Sequence, residues 1–152
     1  MLKGIHPLIT PELIGVLAEM GHGDDLAVVD ANFPATSVAM ETAHGKVLHL
    51  ASVSVPEAVA AVLSLFPLDS FVEHPAVLMG VEGHPGELAP VQEEIQAEVG
   101  SAEGRHMSLA SLERQEFYAA ARSAYAIVQT GELRWWASVI LKKGAFAPDA
   151  PV

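Results

Sequence analysis

The 152-residue sequence contains no cysteine, which excludes a disulfide framework, a thiolate metal site and a cysteine nucleophile. Positive charge is scarce: 8 Lys and Arg stand against 19 Asp and Glu, a formal net charge of −11. Binding to phosphate backbones or anionic headgroups depends on clustered Lys and Arg, and no such cluster occurs. No nucleic acid and no membrane surface is therefore expected as a partner. No apolar run reaches the roughly 20 residues of a membrane span. The first residues, MLKGIHPLITPELIG, hold one lysine, an early proline and no apolar core of the secretory kind, so a cytoplasmic protein is expected.

What is present is apolar. At 51% hydrophobic and 18% charged residues, the composition is far from that of disordered chains. A chain of this length buries roughly 68–70% of the surface its unfolded form exposes, enough for one core. One domain over residues 1–147 is expected, with a loose tail at 148–152 that carries Pro148 and Pro151. The apolar excess over charge predicts association into a homo-oligomer.

Thr10-Pro11-Glu12 opens a first helix, with Thr10 as cap, and Leu13, Val16, Leu17 and Met20 follow at helical spacing until Gly21. Leu26 to Val29 reads as a buried strand closed by Asp30, and Lys46 to Leu50 as a second strand. Ser54-Val55-Pro56-Glu57 fits a capping box, opening a helix to about Phe66. Val77 to Met79 reads as a strand, Val91, Ile95 and Val99 stripe a helix closed by Gly100, and Arg105 to Met107 is a short extended piece. A long helix is expected from Ser111 to about Val128, ended by Thr130-Gly131, and a last strand from Trp136 to Leu141. This alternation predicts an α/β fold: one mostly parallel sheet with helices on both faces.

Several signals fail. Gly21-His22-Gly23 follows a helix instead of opening one, and Leu26 stands where a dinucleotide motif needs its third glycine. The seven histidines show no i, i+2 or i, i+4 pairing, so no metal is expected. Four features survive. His22, between two glycines at a helix end, is either a proton donor working near neutral pH or a simple cap on the last carbonyls. Asp30 ends a strand at the edge where such sheets bind ligands, or folds back on its own turn. Arg114 sits in the first turn of a helix, a poor place for a cation, and either faces something specific or pairs with a nearby Glu. Trp135 and Trp136, if both on a strand, point to opposite faces: one is core, the other a stacking platform for a sugar ring or a contact with a neighbouring subunit.

Met20-Gly21-His22-Gly23-Asp24-Asp25 together with Asp30-Ala31-Asn32-Phe33-Pro34-Ala35 resembles the hallmark of the D-ribose pyranase and L-fucose mutarotase family (RbsD/FucU). The stretch containing Phe117-Tyr118, Ala126-Ile127-Val128, Thr130-Gly131-Glu132 and Val139 to Gly144 is similar to the fucose branch, as are Leu2-Lys3, Pro7-Leu8-Ile9 and Pro11-Glu12-Leu13. The resemblance covers nearly the whole chain. It implies a cofactor-free sugar mutarotase, an isomerase that interconverts ring forms of a free neutral monosaccharide, L-fucose or a related sugar, in a ring-shaped oligomer, commonly a decamer. It makes His22 the proton donor, Asp30 and Arg114 sugar-binding residues, and Tyr118 a further candidate contact. The last binding segment of the family reads Tyr-Gly-Asn or Tyr-Ala-Asn, and here it is Trp136-Ala137-Ser138. The alternatives are a non-catalytic sugar-binding or assembly protein on the same scaffold, and an aldolase or isomerase acting on an open-chain sugar.

The spacing of two of these residues carries a geometric consequence. A straight strand of about 3.3 Å per residue separates His22 from Asp30 by on the order of 20 Å, too far for one hexose. Either the strand curls, or each site joins residues of two subunits.

Overall fold

Thr10 opens α1 (Pro11–Glu19) by accepting the Leu13 N–H on its hydroxyl at 3.1 Å. The following β1 (Asp25–Val29) is buried along nearly its whole length, and α2 (Ala35–Ala39) follows it. β2 (Val47–Leu50) leads to α3 (Val55–Leu63), which starts on the expected capping box of Ser54 and Glu57. Then come β3 (Ala76–Met79), α4 (Pro90–Glu103), β4 (Ala110–Leu112), α5 (Arg114–Arg122), β5 (Ala126–Thr130) and β6 (Val139–Lys142). The computed structural model describes residues 2–146 and 148. The tail expected at 148–152 lies, Pro148 apart, outside the described residues.

The six strands form one sheet in the order β2-β5-β1-β6-β3-β4. β6 runs antiparallel to both of its neighbours, β1 and β3, and every other pairing is parallel. Five strands therefore point one way, and the α/β architecture with helices on both faces holds. Strand alternation divides the core. Leu26, Val28, Leu48, Val128 and Leu141 pack with α1, α3 and α4 on one face, and Ala27, Val29, Ile127 and Ile140 pack with α2 and α5 on the other. Each large apolar side chain so buried contributes about 1.5–3 kcal/mol.

The long helix expected from Ser111 to Val128 is instead β4, α5 and β5. The alanines favour helix in isolation, but Ala126, Ile127 and Val128 are fully buried between β2 and β1. A parallel strand buried on both faces is apolar throughout and shows no alternation to betray it. The extended piece expected at Arg105 to Met107 falls later, at Ala110–Leu112. Gly100 lies inside α4, which runs on to Glu103 and ends on Gly104 in the left-handed conformation, φ 65°. The last strand begins at Val139, not Trp136, because Trp136 has φ 67° and no strand residue can adopt it.

Candidate functional site

The expected site residues separate into two groups at opposite edges of the sheet. The first gathers where the parallel strands end. Asp30 follows β1, Met79 closes β3, Arg114 begins α5, and antiparallel β6 brings the segment before it to the same edge. A cleft of about 300 Å³ opens there, whose lining includes Asp30, Arg114, Tyr118 and Trp136 as well as Glu82 and Trp135. That is the lower end of small-molecule sites, ~300–1,000 Å³, and the carboxyl ends of strands are where open α/β sheets hold ligands.

Asp30 is held rather than free. Its Oδ1 accepts the Asn32 N–H at 2.9 Å, the turn closure foreseen from sequence, and its Oδ2 accepts the Ser138 hydroxyl at 2.9 Å. The Ser138 oxygen in turn accepts the Asp30 N–H at 3.3 Å. Ser138 and Ala137 are fully buried, Ala137 within the first core layer. Trp136 is the member of that segment that lines the cleft. Ser138 therefore orients Asp30 from beneath.

Arg114 meets the Glu82 carboxylate at 3.5 Å, the pairing with a nearby Glu that one of its readings expects, and it also lines the cleft. Its Nε is buried and has no hydrogen-bond partner among the described residues. A buried guanidinium donor without a mate is costly, and a hydroxyl-bearing ligand in the cleft is a natural acceptor. Tyr118 packs edge-on against Phe33, ring centroids 5.3 Å apart, and forms an apolar wall suited to the C–H face of a sugar ring.

Trp135 and Trp136 do not alternate on a strand, as expected, but sit in the turn before β6. Trp135 is 75% exposed, whereas Trp136 packs partly against the second core layer. A bulky residue at positive φ costs on the order of 1–3 kcal/mol and persists only where its surroundings impose it. Gln92 grips this turn. Its Nε2 donates to the Trp136 carbonyl at 2.9 Å and to the Met79 carbonyl at 2.7 Å, and its Oε1 accepts the Ala89 N–H at 3.0 Å.

His22 lies at the other edge, in the loop between α1 and β1. Lys143, just past β6, ties this loop down: its ammonium donates to the Leu17 and Met20 carbonyls at the end of α1, a favourable place for a cation. Its backbone exchanges hydrogen bonds with Gly23 and Asp24 at 2.8 Å each. Gly23 has φ 88°, which only glycine adopts without strain. The imidazole, 47% exposed, meets Asp69 Oδ1 through Nε2 at 3.1 Å, and the Phe71 ring lies 5.4 Å away. The Asp69 carboxyl is held below the ordinary carboxylate range by the Phe71 N–H first, against the opposing effect of burial, and then by the His22 ring. It remains a carboxylate near neutral pH and orients the ring through Nε2. His22 is therefore not a mere cap on α1 carbonyls; Lys143 fills that role.

β1 is straight, paired residue by residue with β5 and β6. The curled alternative is gone, and His22 and Asp30 stand at opposite ends of one strand. Asp69, Gln92, Glu82 and Lys143 were not found from sequence. Asp69 did carry a local signal, an Asp two residues before a turn N–H, but nothing in the sequence joins it to a histidine 47 positions away. No group of three or more His, Asp or Glu side chains suited to a metal occurs among the described residues. None of the helices described is long and apolar enough to cross a membrane.

The model of the RbsD / FucU transport protein family matches residues 3–146. An L-fucose mutarotase of Actinobacillus pleuropneumoniae serotype 5b is 43% identical over 146 residues, 95% of this chain and 96% of that protein. The crystal structure of FucU from Bifidobacterium longum superposes with TM-score 0.87 at 36% identity, covering 95% of this chain and 100% of that one. The fucose mutarotase of Streptococcus pneumoniae in complex with L-fucose gives TM-score 0.85 at 35% identity, over 96% and 100% of the two chains. With the family model spanning nearly every residue, and with the glycine-flanked histidine and the carboxylate-lined cleft both in place, this chain belongs to the RbsD/FucU family.

Proposed function

We propose that this protein is a sugar mutarotase that interconverts the ring forms of a free neutral monosaccharide, L-fucose or a close relative. The observation that carries the reading is the pairing of an exposed histidine, oriented by a buried carboxylate, with a separate cleft whose Asp30 and Arg114 present hydroxyl-binding groups. Mutarotation requires a proton delivered to the ring oxygen and another removed from the anomeric hydroxyl; the ring opens, the C1–C2 bond turns, and the ring recloses. His22 shuttles that proton, and the His22–Asp69 contact supports the role. General acid and base groups of this kind contribute about 10²–10⁴-fold. Asp30 and Arg114 fix the sugar hydroxyls, and Tyr118 and Trp136 supply apolar faces.

Because one strand separates His22 from Asp30, each working site combines the His22 edge of one subunit with the Asp30 cleft of the next. The exposed Phe71, 79%, beside His22 and the exposed Trp135 beside the cleft support such a contact. The same reading has the protein working in the cytoplasm as a homo-oligomer, a decamer in the form the resemblance implies. Trp136 and Ser138, where the family has Tyr and Asn, shift the choice of sugar. Trp136 offers one donor and a broad apolar face, and Ser138 is spent on Asp30. An uncharged sugar is favoured, since the chain is acidic and Arg114 is the cation lining the cleft.

The test is NMR saturation transfer between anomers over a panel of neutral sugars that includes L-fucose. Exchange that accelerates with the protein and is lost in His22→Ala, with sugar binding retained, is the expected result. Undiminished exchange in His22→Ala removes the mechanism, and binding without exchange in the wild type favours a non-catalytic sugar-binding protein.

A further inference from the structure

Gln92 is the polar side chain of α4 that is buried completely, 1% exposed, in a helix whose other buried residues Val91, Ile95 and Val99 are apolar. Burying a carboxamide is unfavourable unless all its hydrogen-bonding groups are used. Gln92 uses both ends. Its oxygen takes the Ala89 N–H at the start of its own helix, and its nitrogen divides its two protons between the carbonyls of Met79 and Trp136. Those carbonyls belong to two segments that do not follow one another in the chain, the end of β3 and the turn before β6, and both residues line the cleft.

Trp136 is the non-glycine residue found at positive φ among the described residues. Left to its own preference it would leave that conformation, turning the peptide that Gln92 grips and moving the indole. A single amide therefore links helix position, strand end and the strained turn. We propose that Gln92 is a positioning residue for the sugar-facing wall: by holding the Trp136 carbonyl against β3, it keeps Trp136 left-handed and its indole on the cleft beside Arg114. It does not touch the sugar. The role rests on the mutarotase reading only for its effect on turnover; its effect on Trp136 does not.

The sequence has two tryptophans, so Trp135→Phe leaves Trp136 as the sole tryptophan, excited selectively beyond the tyrosine band. In that background Gln92→Met, similar in shape and without donors, is expected to change the emission maximum of Trp136 and its quenching by acrylamide. For L-fucose anomer exchange, measured with Trp135 in place, Gln92→Met is expected to raise KM about tenfold while kcat changes less than threefold. Combining Gln92→Met with Trp136→Gly supplies the control, since glycine takes positive φ freely. In the Trp136→Gly background Gln92→Met should leave KM where Trp136→Gly alone put it. Unchanged Trp136 emission in a folded Gln92→Met protein overturns the proposal, as does an equal rise in KM in both backgrounds. Gln92→Glu, which keeps the shape but places a carboxylate against two carbonyls, is read in the same way should the methionine variant not fold. If the wild type exchanges no sugar, the mutarotase reading fails, yet the fluorescence still decides whether Gln92 sets Trp136.

Discussion

His22 and Asp69 show how a carboxylate far away in sequence gives a common side chain a specific task. The imidazole alone is a half-exposed ring on a glycine-flanked loop; Asp69, 4% exposed and already engaged by the Phe71 N–H, fixes one of its nitrogens. Asp69→Asn keeps the shape and replaces the carboxylate that holds the ring through Nε2. We expect kcat for anomer exchange to fall about tenfold or more, part of the ~10²–10⁴-fold general acid–base contribution, with KM nearly unchanged. Saturation-transfer rates over a series of sugar concentrations separate the two constants, and an unaltered kcat denies Asp69 this part. Ser138 shows the converse. Its position was legible as a departure from the family's Asn, but its task, a two-way hydrogen bond with Asp30, was not, because that contact joins residues 108 positions apart.

Among the elements, β5 was the hardest to read and fixes the most. Its neighbours β2 and β1 flank it on both sides, and its Ile and Val residues are covered above and below. Thr130-Gly131, expected to end a helix, instead ends this strand. A Cβ on Gly131 would run into the Ala51 carbonyl, which is backbone and cannot step aside. Gly131→Ala therefore forces β5 and the α3 approach apart, at a cost of about 1–3 kcal/mol or more. Chemical denaturation followed by circular dichroism measures it, and a midpoint equal to the wild type's contradicts the close approach. The helix starts were more transparent than the strands. Thr10 and Ser54 cap α1 and α3 as their sequences foretold, because capping is settled within four residues and needs no distant partner.

Over the entire molecule, charge and apolar surface lead to two expectations. Glu132, 6% exposed, is held by Arg134 through Nε and a terminal nitrogen, and its carboxyl falls from 4.5 to about 2, chiefly through that side-chain contact. A carboxylate whose folded value is the lower one contributes stability that is fully present above the unfolded value and lost as pH falls through the folded value. Glu132→Gln should therefore cost on the order of 1–2 kcal/mol near neutral pH, allowing for solvent screening of the half-exposed Arg134. The difference from wild type should fade between about pH 4.5 and 2. Urea titrations across that range check it. The second expectation concerns assembly. Phe71→Glu or Trp135→Glu places charge on rings that are largely exposed and belong to neither core layer, so the fold should survive. If sites span subunits, light scattering will show smaller particles and exchange will disappear; an active monomer ends the idea of shared sites.

The residues alone were enough to establish the α/β alternation, the caps of α1 and α3, the buried first strand and the chemical types at His22, Asp30, Arg114 and Trp136. All of these rest on short-range periodicity, turn chemistry or motif. The folded chain was needed to turn a single alanine-rich run into β4, α5 and β5, since burial between neighbouring strands outweighs helix propensity of well under 1 kcal/mol per residue. It was needed as well to put His22 and Asp30 at opposite ends of one straight strand, and to bring Asp69, Gln92 and Ser138 to the groups they hold. Such pairings depend on which distant segments share a sheet edge. That is a property of packing, and no local pattern records it.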